Sequence, residues 1–241
     1  MLWSIMVFGF LAGMSHALEA DHLAAVAALS ARRSSRRQLV LRGAWWGTGH
    51  TIALLAICSV VILAGLSISS ELQAALELCV GIMIVGLGAH VLLTMKRRKI
   101  HFHVHDHGGE RHVHALSHAT DHRPHGQSTH DHAHRAGNSL RALAVGLVHG
   151  AAGSGGLLAL AVAAAQSAAT ALAYVAVFGL GSILGMAALS FVVSFPLTAL
   201  QRSAAWLDKA TMIAIGCLAL VIGGELIVES VRALGPLLNA A

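Results

Sequence analysis

Six apolar segments, each long enough to cross a bilayer, constrain the fold of this chain more than any other feature. A transmembrane helix needs about 20 predominantly apolar residues, and the candidate segments are 3–30, 43–67, 71–95, 140–164, 169–200 and 207–233. Only 11% of the 241 residues are charged, against roughly 25% in soluble domains. We therefore predict an all-α membrane protein with six transmembrane helices. The first segment is too long for a signal-peptide core and is expected to be retained.

The basic residues predict how the helices are oriented. Fifteen of the 16 lysines and arginines lie in three connections, 31–42, 96–141 and 202–209. Loops that are rich in Lys and Arg face the cytoplasm. We therefore expect a multi-pass protein of the cytoplasmic membrane whose two termini are both extracytoplasmic.

The two halves of the chain resemble each other in sequence. Three stretches align at offsets of 133, 132 and 135 residues: 13–29 with 146–162, 45–55 with 177–187, and 81–93 with 216–228. Because each copy holds three helices, an odd number, the second copy must insert upside down. Inverted repeats are common in transporters, with the substrate site near the midplane. We predict one repeat in 1–95, a cytoplasmic loop in 96–139 and a second repeat in 140–241.

The stretch "SHALEADHLA" places His16, Glu19, Asp21 and His22 within the first apolar segment. An ionised Asp at the bilayer centre costs about 2.5–3.5 kcal/mol on insertion scales, so these groups need partners. Imidazole and carboxylate together suit divalent transition metals, and a metal site is the favoured interpretation over a purely structural polar network. Further candidates for ligands or their supporting groups are His50, His90, His149 and Glu225.

A regular helix cannot direct all four groups at one ion. His16, Glu19 and His22 lie on one face, whereas Asp21 points nearly opposite Glu19. Either the first helix departs from α-geometry between about residues 13 and 22, or Glu19 turns away to a group such as His90 or Ser182. We favour the second alternative because residues 14–22 contain no Gly or Pro. Two interpretations stay open for the glycines of "HGAAGSGG", close approach to an ion and close helix packing: Gly150, Gly153, Gly155 and Gly156.

The loop between the halves contains twelve histidines between 101 and 134, in tracts such as "HFHVHDH" and "HDHAH". Such tracts chelate transition metals, and we predict a disordered, solvated loop that captures metal ions. A cytoplasmic metallochaperone would be a compatible partner, and no nucleic-acid partner is expected. The predicted ligands are His101, His103, His105, His107, His112, His114, His130, His132 and His134.

"HALEADH" fits the H-x-x-x-x-D-H signature of the nickel/cobalt transporter family (NiCoT), and "GTGHT" is similar to that family's second signature. The resemblance implies that His16, Asp21, His22 and His50 select the metal. The later motifs differ, because "GLVHGAAGSGG" replaces an acidic motif and Ser190 stands where the family has Asp. Family members commonly have eight helices. The chain thus resembles a shorter six-helix branch, similar to urease-associated nickel permeases.

These observations predict a carrier for Ni²⁺ or Co²⁺ across the cytoplasmic membrane, in the uptake direction, with no permanently bound cofactor and no enzymatic activity. An efflux carrier for nickel, cobalt or zinc is the main alternative. A rhomboid-type serine protease would use Ser154, but the segment 207–233 contains no histidine to act as its base. A thiol electron carrier on a similar fold needs cysteines in the first and fourth segments, and neither has any.

Overall fold

The computed structural model describes residues 2–30, 34–97, 101–107, 110–116, 134–153, 156–157, 161, 165, 167–202 and 205–238, with the backbone alone for 2, 96–97, 101–107, 110–116, 134–138, 198–202, 205, 208 and 236–238. Within these residues there are seven long helices and one antiparallel hairpin. In chain order they are α1 (Leu2–His16), α2 (Ala20–Ser30), α3 (Arg36–Ala64), α4 (Ser70–Arg97), β1 (His101–His107), β2 (Glu110–Leu116), α5 (His134–Ala152), α6 (Ala168–Arg202) and α7 (Ala205–Leu238).

In the described part of the chain, four helices are long and apolar enough to cross a membrane on their own, and they match the predicted second, third, fifth and sixth segments. These spans are Arg36–Ala64, Ser70–Met95, Ala168–Leu197 and Lys209–Gly235. The chain is therefore a multi-pass membrane protein. The first predicted segment consists of two shorter helices, α1 and α2, and the fourth begins as α5, which ends at Ala152.

The central helix α3 has well-defined ends. At its start the Gln38 backbone N–H donates to Ser35 Oγ, and the Ser35 N–H donates to the Gln38 side-chain oxygen, which is a capping box. At its end Gly65 has φ of 64°, a conformation that favours glycine, and the Leu66 N–H donates to the carbonyl of Val61. These caps fix the length of the helix that carries His50.

The helices pack in two groups. Helix α3 lies between α5 and α6, and α1 lies along α6, whereas α4 packs mainly along α7. Helix α2 contacts both groups. Two buried hydroxyls link α6 to its neighbours: Thr51 donates to the carbonyl of Gly179 at 3.0 Å, and Ser182 donates to the carbonyl of Gly13 at 3.2 Å.

Glycines allow the backbones of the central helices to touch at four contacts, which form two matched pairs. A Cβ atom at either Gly13 or Gly146 would lie 2.0 Å from a backbone oxygen of a neighbouring helix, so neither position has room for a side chain. Such small-residue contacts are typical of packing between membrane helices. The pairs are Gly13 with the oxygen of Phe178, Gly146 with that of Trp46, Gly181 with that of Phe10, and Gly49 with that of Leu143.

The predicted disorder of the cytoplasmic loop is wrong for two of its segments. Strands β1 and β2 pair in antiparallel fashion, with His103 opposite His114 and His105 opposite His112. The segment forms a strand because its polar and apolar residues alternate: histidines alternate with Phe102 and Val104 along β1. Alternation of this kind favours a strand.

Candidate metal centre

Four histidines from four different helices meet in the centre of the protein. His16 ends α1, His22 lies in α2, His50 in α3 and His149 in α5. The ring centroid of His22 lies 4.4 Å from that of His16, 5.3 Å from that of His50 and 4.1 Å from that of His149. His22, His50 and His149 are each at most 2% exposed. Three of the four predicted metal residues, together with His149, are therefore neighbours.

Several ring nitrogens in this cluster have no hydrogen-bond partner. They are Nε2 of His16, Nε2 of His22, both nitrogens of His50 and Nδ1 of His149. One nitrogen from each of His16, His22 and His50 can be chosen so that all three lie within 4.8 Å of one another. Buried polar atoms are normally satisfied, so unpaired nitrogens that face one another indicate a place for a cation.

The chain is not helical between α1 and α2, which corrects the expectation of a regular first helix. The Leu18 N–H donates to the carbonyl of Ser15, and the Glu19 N–H donates to that of His16. These tight-turn bonds close α1 before α2 begins at Ala20. The absence of Gly and Pro was therefore a poor guide, because side chains of the turn itself stabilise it.

Glu19 is one of these side chains, and it is bonded to neither of the two partners that were expected for it. His16 Nδ1 and Glu19 Oε1 are hydrogen-bonded at 2.7 Å. The Nδ1–H of His16 is the donor, since an ionised carboxylate can only accept a hydrogen bond. The Glu19 side chain is 57% exposed. Neither His90 nor Ser182 is bonded to it, and the Ser182 hydroxyl instead donates to the carbonyl of Gly13.

Asp21 lies between two histidines. Its Oδ1 accepts the Nδ1–H of His22 at 2.9 Å and also the backbone N–H of His22 at 2.8 Å. Its Oδ2 accepts the Nε2–H of His149 at 2.8 Å. Asp21, His22 and His149 form a second group with atoms close enough to hold an ion, and it overlaps the first group at His22.

Glycines at the end of α5 and directly after it create the space and the contacts around the histidines. A Cβ at Gly150 would lie 2.2 Å from the backbone oxygen of His50, so Gly150 serves helix packing. A Cβ at Gly153 would instead lie 3.7 Å from Nε2 of His16 and 3.8 Å from Cε1 of His50. Gly150 thus fits the packing interpretation, whereas Gly153 leaves space beside the histidines. A Cβ at Gly156 would meet no atom of the described residues within 4 Å, and Gly155 lies outside the described residues.

Trp46 is a buried neighbour of the cluster that the sequence analysis did not identify. Its ring centroid lies 5.4 Å from that of His22 and 5.7 Å from that of His149. The side chain is fully buried and its Nε1 has no partner. The available signal was its place four residues before His50, which puts both side chains on one helix face.

The other predicted residues lie away from this centre or outside the described side chains. His90 on α4 and Glu225 on α7 are both exposed. The backbones of His101, His103, His105 and His107 lie in β1, those of His112 and His114 in β2, and that of His134 at the start of α5, but their side chains are outside the described part. His130, His132 and Ser154 lie outside the described residues altogether.

Comparison with known proteins identifies the family of the chain. The sequence profile of the family described as "Cytochrome C biogenesis protein transmembrane region" matches residues 4–223. The chain belongs to this family. It is also 31% identical over 201 residues to the urease accessory protein UreH of Bacillus sp. (strain TB-90), which covers 83% of this chain and 81% of that protein. The predicted similarity to a urease-associated membrane protein is thereby confirmed. No solved structure gives a significant match.

Within this family fold, the chain carries imidazoles where the helices meet. Helices α1 and α5 contain no cysteine. The three cysteines, Cys58, Cys79 and Cys217, form no disulfide with one another and lie on α3, α4 and α7. A thiol electron carrier would need a pair of cysteines on the first and fourth segments, so the described site offers histidine chemistry instead.

Proposed function

We propose that the chain is a carrier that moves Ni²⁺ or Co²⁺ into the cell across the cytoplasmic membrane. The observation that carries this proposal is the group of buried, unpaired ring nitrogens on His16, His22 and His50, three residues that can each offer a ring nitrogen within 4.8 Å of the others. Imidazole nitrogen suits divalent nickel, copper and zinc. Burying these polar groups inside a membrane protein costs free energy, so their presence there indicates a function.

The inverted-repeat arrangement gives the proposed carrier its two-sided access. The contact of Gly13 with Phe178 and that of Gly146 with Trp46 have the same Cβ-to-oxygen distance, 2.0 Å. Their residue numbers differ by the offsets 133 and 132, as expected for two copies related by a twofold axis. His16 and His149 also correspond at the offset of 133. Rocking of the two halves around the shared centre would open it to each side in turn.

Transport would follow from this geometry in three steps. An ion enters from the extracytoplasmic side, loses part of its water shell and is held by the ring nitrogens of His16, His22 and His50. The halves then rock, and the centre opens towards the cytoplasm, where the positive-inside rule places the His-rich loop. The loop captures the released ion. Such a carrier catalyses no chemical reaction and needs no resident cofactor.

The relative supports nickel as a substrate. Its name links it to urease, and the signature His16, Asp21 and His22 resembles that of nickel/cobalt transporters. The proposed cargo for this chain is therefore Ni²⁺, with Co²⁺ as its near equivalent in ligand preference.

Accumulation of radiolabelled nickel and cobalt tests the proposal in cells with and without the protein. We expect higher accumulation with the wild-type chain and none above background with His50→Ala at equal protein levels in the membrane. Lower accumulation in expressing cells, with faster loss from preloaded cells, would assign efflux instead. Equal accumulation in all three strains would contradict metal transport.

A further inference from the structure

Each of the two carboxylates of the centre accepts a hydrogen bond from a different histidine. In both cases the donor atom is Nδ1 of the ring. Glu19 accepts from Nδ1 of His16 at 2.7 Å, and Asp21 accepts from Nδ1 of His22 at 2.9 Å. Because each Nδ1 must carry the hydrogen, each neutral ring keeps its lone pair on Nε2. These two Nε2 atoms are among those left without a partner.

Resting on the proposed metal carrier, we propose that Glu19 and Asp21 are positioning residues. They fix the tautomer and orientation of His16 and His22, and the transported ion is coordinated by the imidazoles of His16, His22 and His50 without a carboxylate ligand. Metal-bound histidines commonly donate their other ring N–H to a carboxylate, which raises the basicity of the ligand. Asp21 thus acts through His22 and does not touch the ion.

The hydrogen bonds of Asp21 favour this assignment over direct coordination. Its carboxylate already accepts three N–H groups, from the His22 backbone, the His22 ring and the His149 ring, at 2.8–2.9 Å. An ion bound at Asp21 would break these bonds and leave Nε2 of His16 and of His22 unpaired. An ion between the three imidazoles would satisfy those nitrogens and break none of the bonds.

His149 has its own part in this arrangement. It comes from the second half of the chain, 128 residues from Asp21 along the sequence, and holds the Oδ2 atom that His22 does not use. Since both Asp21 oxygens are engaged, the carboxylate cannot turn towards the centre without losing one of these partners. His149 is therefore also a positioning residue in the described state.

A ligand set of nitrogens alone would determine selectivity. Carboxylate and carbonyl oxygens suit Mg²⁺, Ca²⁺ and Mn²⁺, whereas imidazole suits nickel, copper and zinc. Because the carboxylates are held away from the ion, the abundant hard cations gain little from the site. Mn²⁺ is accordingly expected to compete poorly with Ni²⁺.

Purified full-length protein in detergent, titrated with Co²⁺ or Ni²⁺, tests the assignment. In every sample the twelve histidines between 101 and 134 are replaced by asparagine so that the loop does not contribute to the signal. The visible absorption spectrum of bound Co²⁺ reports the donor set, and X-ray absorption of bound Ni²⁺ counts the imidazoles. The variants are Asp21→Asn, Glu19→Gln and His149→Gln, with His22→Ala as the ligand-loss reference and Glu225→Gln as the control carboxylate.

We expect three imidazoles in the unsubstituted centre and an unchanged Co²⁺ spectrum in the three positioning variants. Their metal affinity should fall about 10–100-fold, the usual effect of losing a partner of a metal-bound histidine. His22→Ala should lose one imidazole and alter the spectrum, and Glu225→Gln should alter neither. Should Asp21→Asn fail to fold, His149→Gln tests the same network.

Two results would count against different parts of the argument. If the centre binds metal but Asp21→Asn changes the Co²⁺ spectrum as a lost ligand would, Asp21 is a ligand and this inference is wrong, while metal transport stands. If the unsubstituted centre binds neither ion and cells accumulate neither, the proposed function is wrong as well.

Discussion

Two groups of helices in this protein carry histidines and carboxylates inside apolar segments, and they place those side chains differently. In the central group, helices α1, α2, α3 and α5 bring His16, His22, His50 and His149 together. In the α4–α7 pair, His90 and Glu225 are both exposed, and the surfaces between α4 and α7 contain buried apolar residues such as Val80, Ile84 and Ala219. Both groups have glycine contacts, so close packing alone does not explain the difference.

The difference follows from where each polar residue lies relative to a glycine that touches a neighbouring helix, here called its contact glycine. His16 and His149 each follow a contact glycine, Gly13 and Gly146, by three positions, about 60° away around the helix. His90 and Glu225 follow Gly88 and Gly223 by two positions, about 160° away, so they point away from the partner helix. The comparison teaches that register with the small-residue face decides which intramembrane polar groups meet.

The largest effect is expected from a bulky side chain at the central contact. Gly146→Leu would place Cβ 2.0 Å from the backbone oxygen of Trp46, which cannot move without displacing α3. Overpacking commonly costs about 1–3 kcal/mol, and this backbone clash should reach or exceed the upper end. We expect little protein in the membrane and a strongly lowered melting temperature in detergent. Gly86→Leu on α4, where an added Cβ would meet no other part of the described structure within 4 Å, is the matched control and should be near wild type.

A smaller and more selective effect is expected from filling the space beside the histidines. A Cβ at Gly153 meets His16 and His50 at ordinary contact distances of 3.7–3.8 Å, so Gly153→Ala should fold normally. A bound ion sits only about 2.0–2.1 Å from an imidazole nitrogen, and the added methyl group would crowd it. Nickel uptake should fall by about tenfold, which corresponds to 1.4 kcal/mol. Gly156→Ala should leave uptake unchanged, and equal uptake in both variants would place the ion elsewhere.

The His-rich loop should change uptake only when metal is scarce. Replacing its twelve histidines with asparagine removes the ligands but leaves all four candidate spans intact. We expect unchanged uptake at saturating nickel and a half-saturating concentration raised by about two- to fivefold, well under 1.4 kcal/mol. A loss of uptake at saturating metal would mean that these histidines belong to the transport pathway.

The smallest effects are expected in the α4–α7 pair. His90→Ala and Glu225→Gln alter exposed side chains, and substitutions away from a packed or bonded site usually change stability by less than about 0.5 kcal/mol. Nickel uptake should stay within about twofold of wild type. A loss as large as that of His50→Ala in either variant would contradict the separation between the two groups of helices.

The sequence was sufficient to predict the four long spans and the proximity of His16, His22 and His50, because apolar length and metal-ligand types are local properties. The interruption between α1 and α2 was the less favoured of two alternatives drawn from the sequence. Part of the hydrogen-bond network around this turn depends on His149, which lies 128 residues from its partner Asp21. Helix propensities describe only neighbouring residues, so they cannot predict this contact. The three hydrogen bonds that Asp21 accepts could not be predicted from the sequence either, since they are defined only in three dimensions.

The hairpin was missed for a different reason. Composition favoured a solvated loop, yet the alternation of His103 and His105 with Phe102 and Val104 was visible in the sequence. The period-two signal was given less weight than the polarity of the segment. For the outward-facing pair, His90 and Glu225, the sequence held the two-residue offset from a glycine, but only the structure identifies which glycines make contacts.

The interruption between α1 and α2 also divides one helix dipole into two. The carboxyl end of α1, at His16, carries a partial negative charge that favours a nearby cation, and the amino end of α2, where Asp21 lies in the first turn, carries a partial positive charge that favours its carboxylate. Each effect is worth about 0.3–1 kcal/mol near a helix end. A continuous helix would have placed both poles at the membrane surfaces. The turn instead brings opposite poles close together beside the histidines, where one would stabilise the proposed cargo and the other stabilises the Asp21 carboxylate.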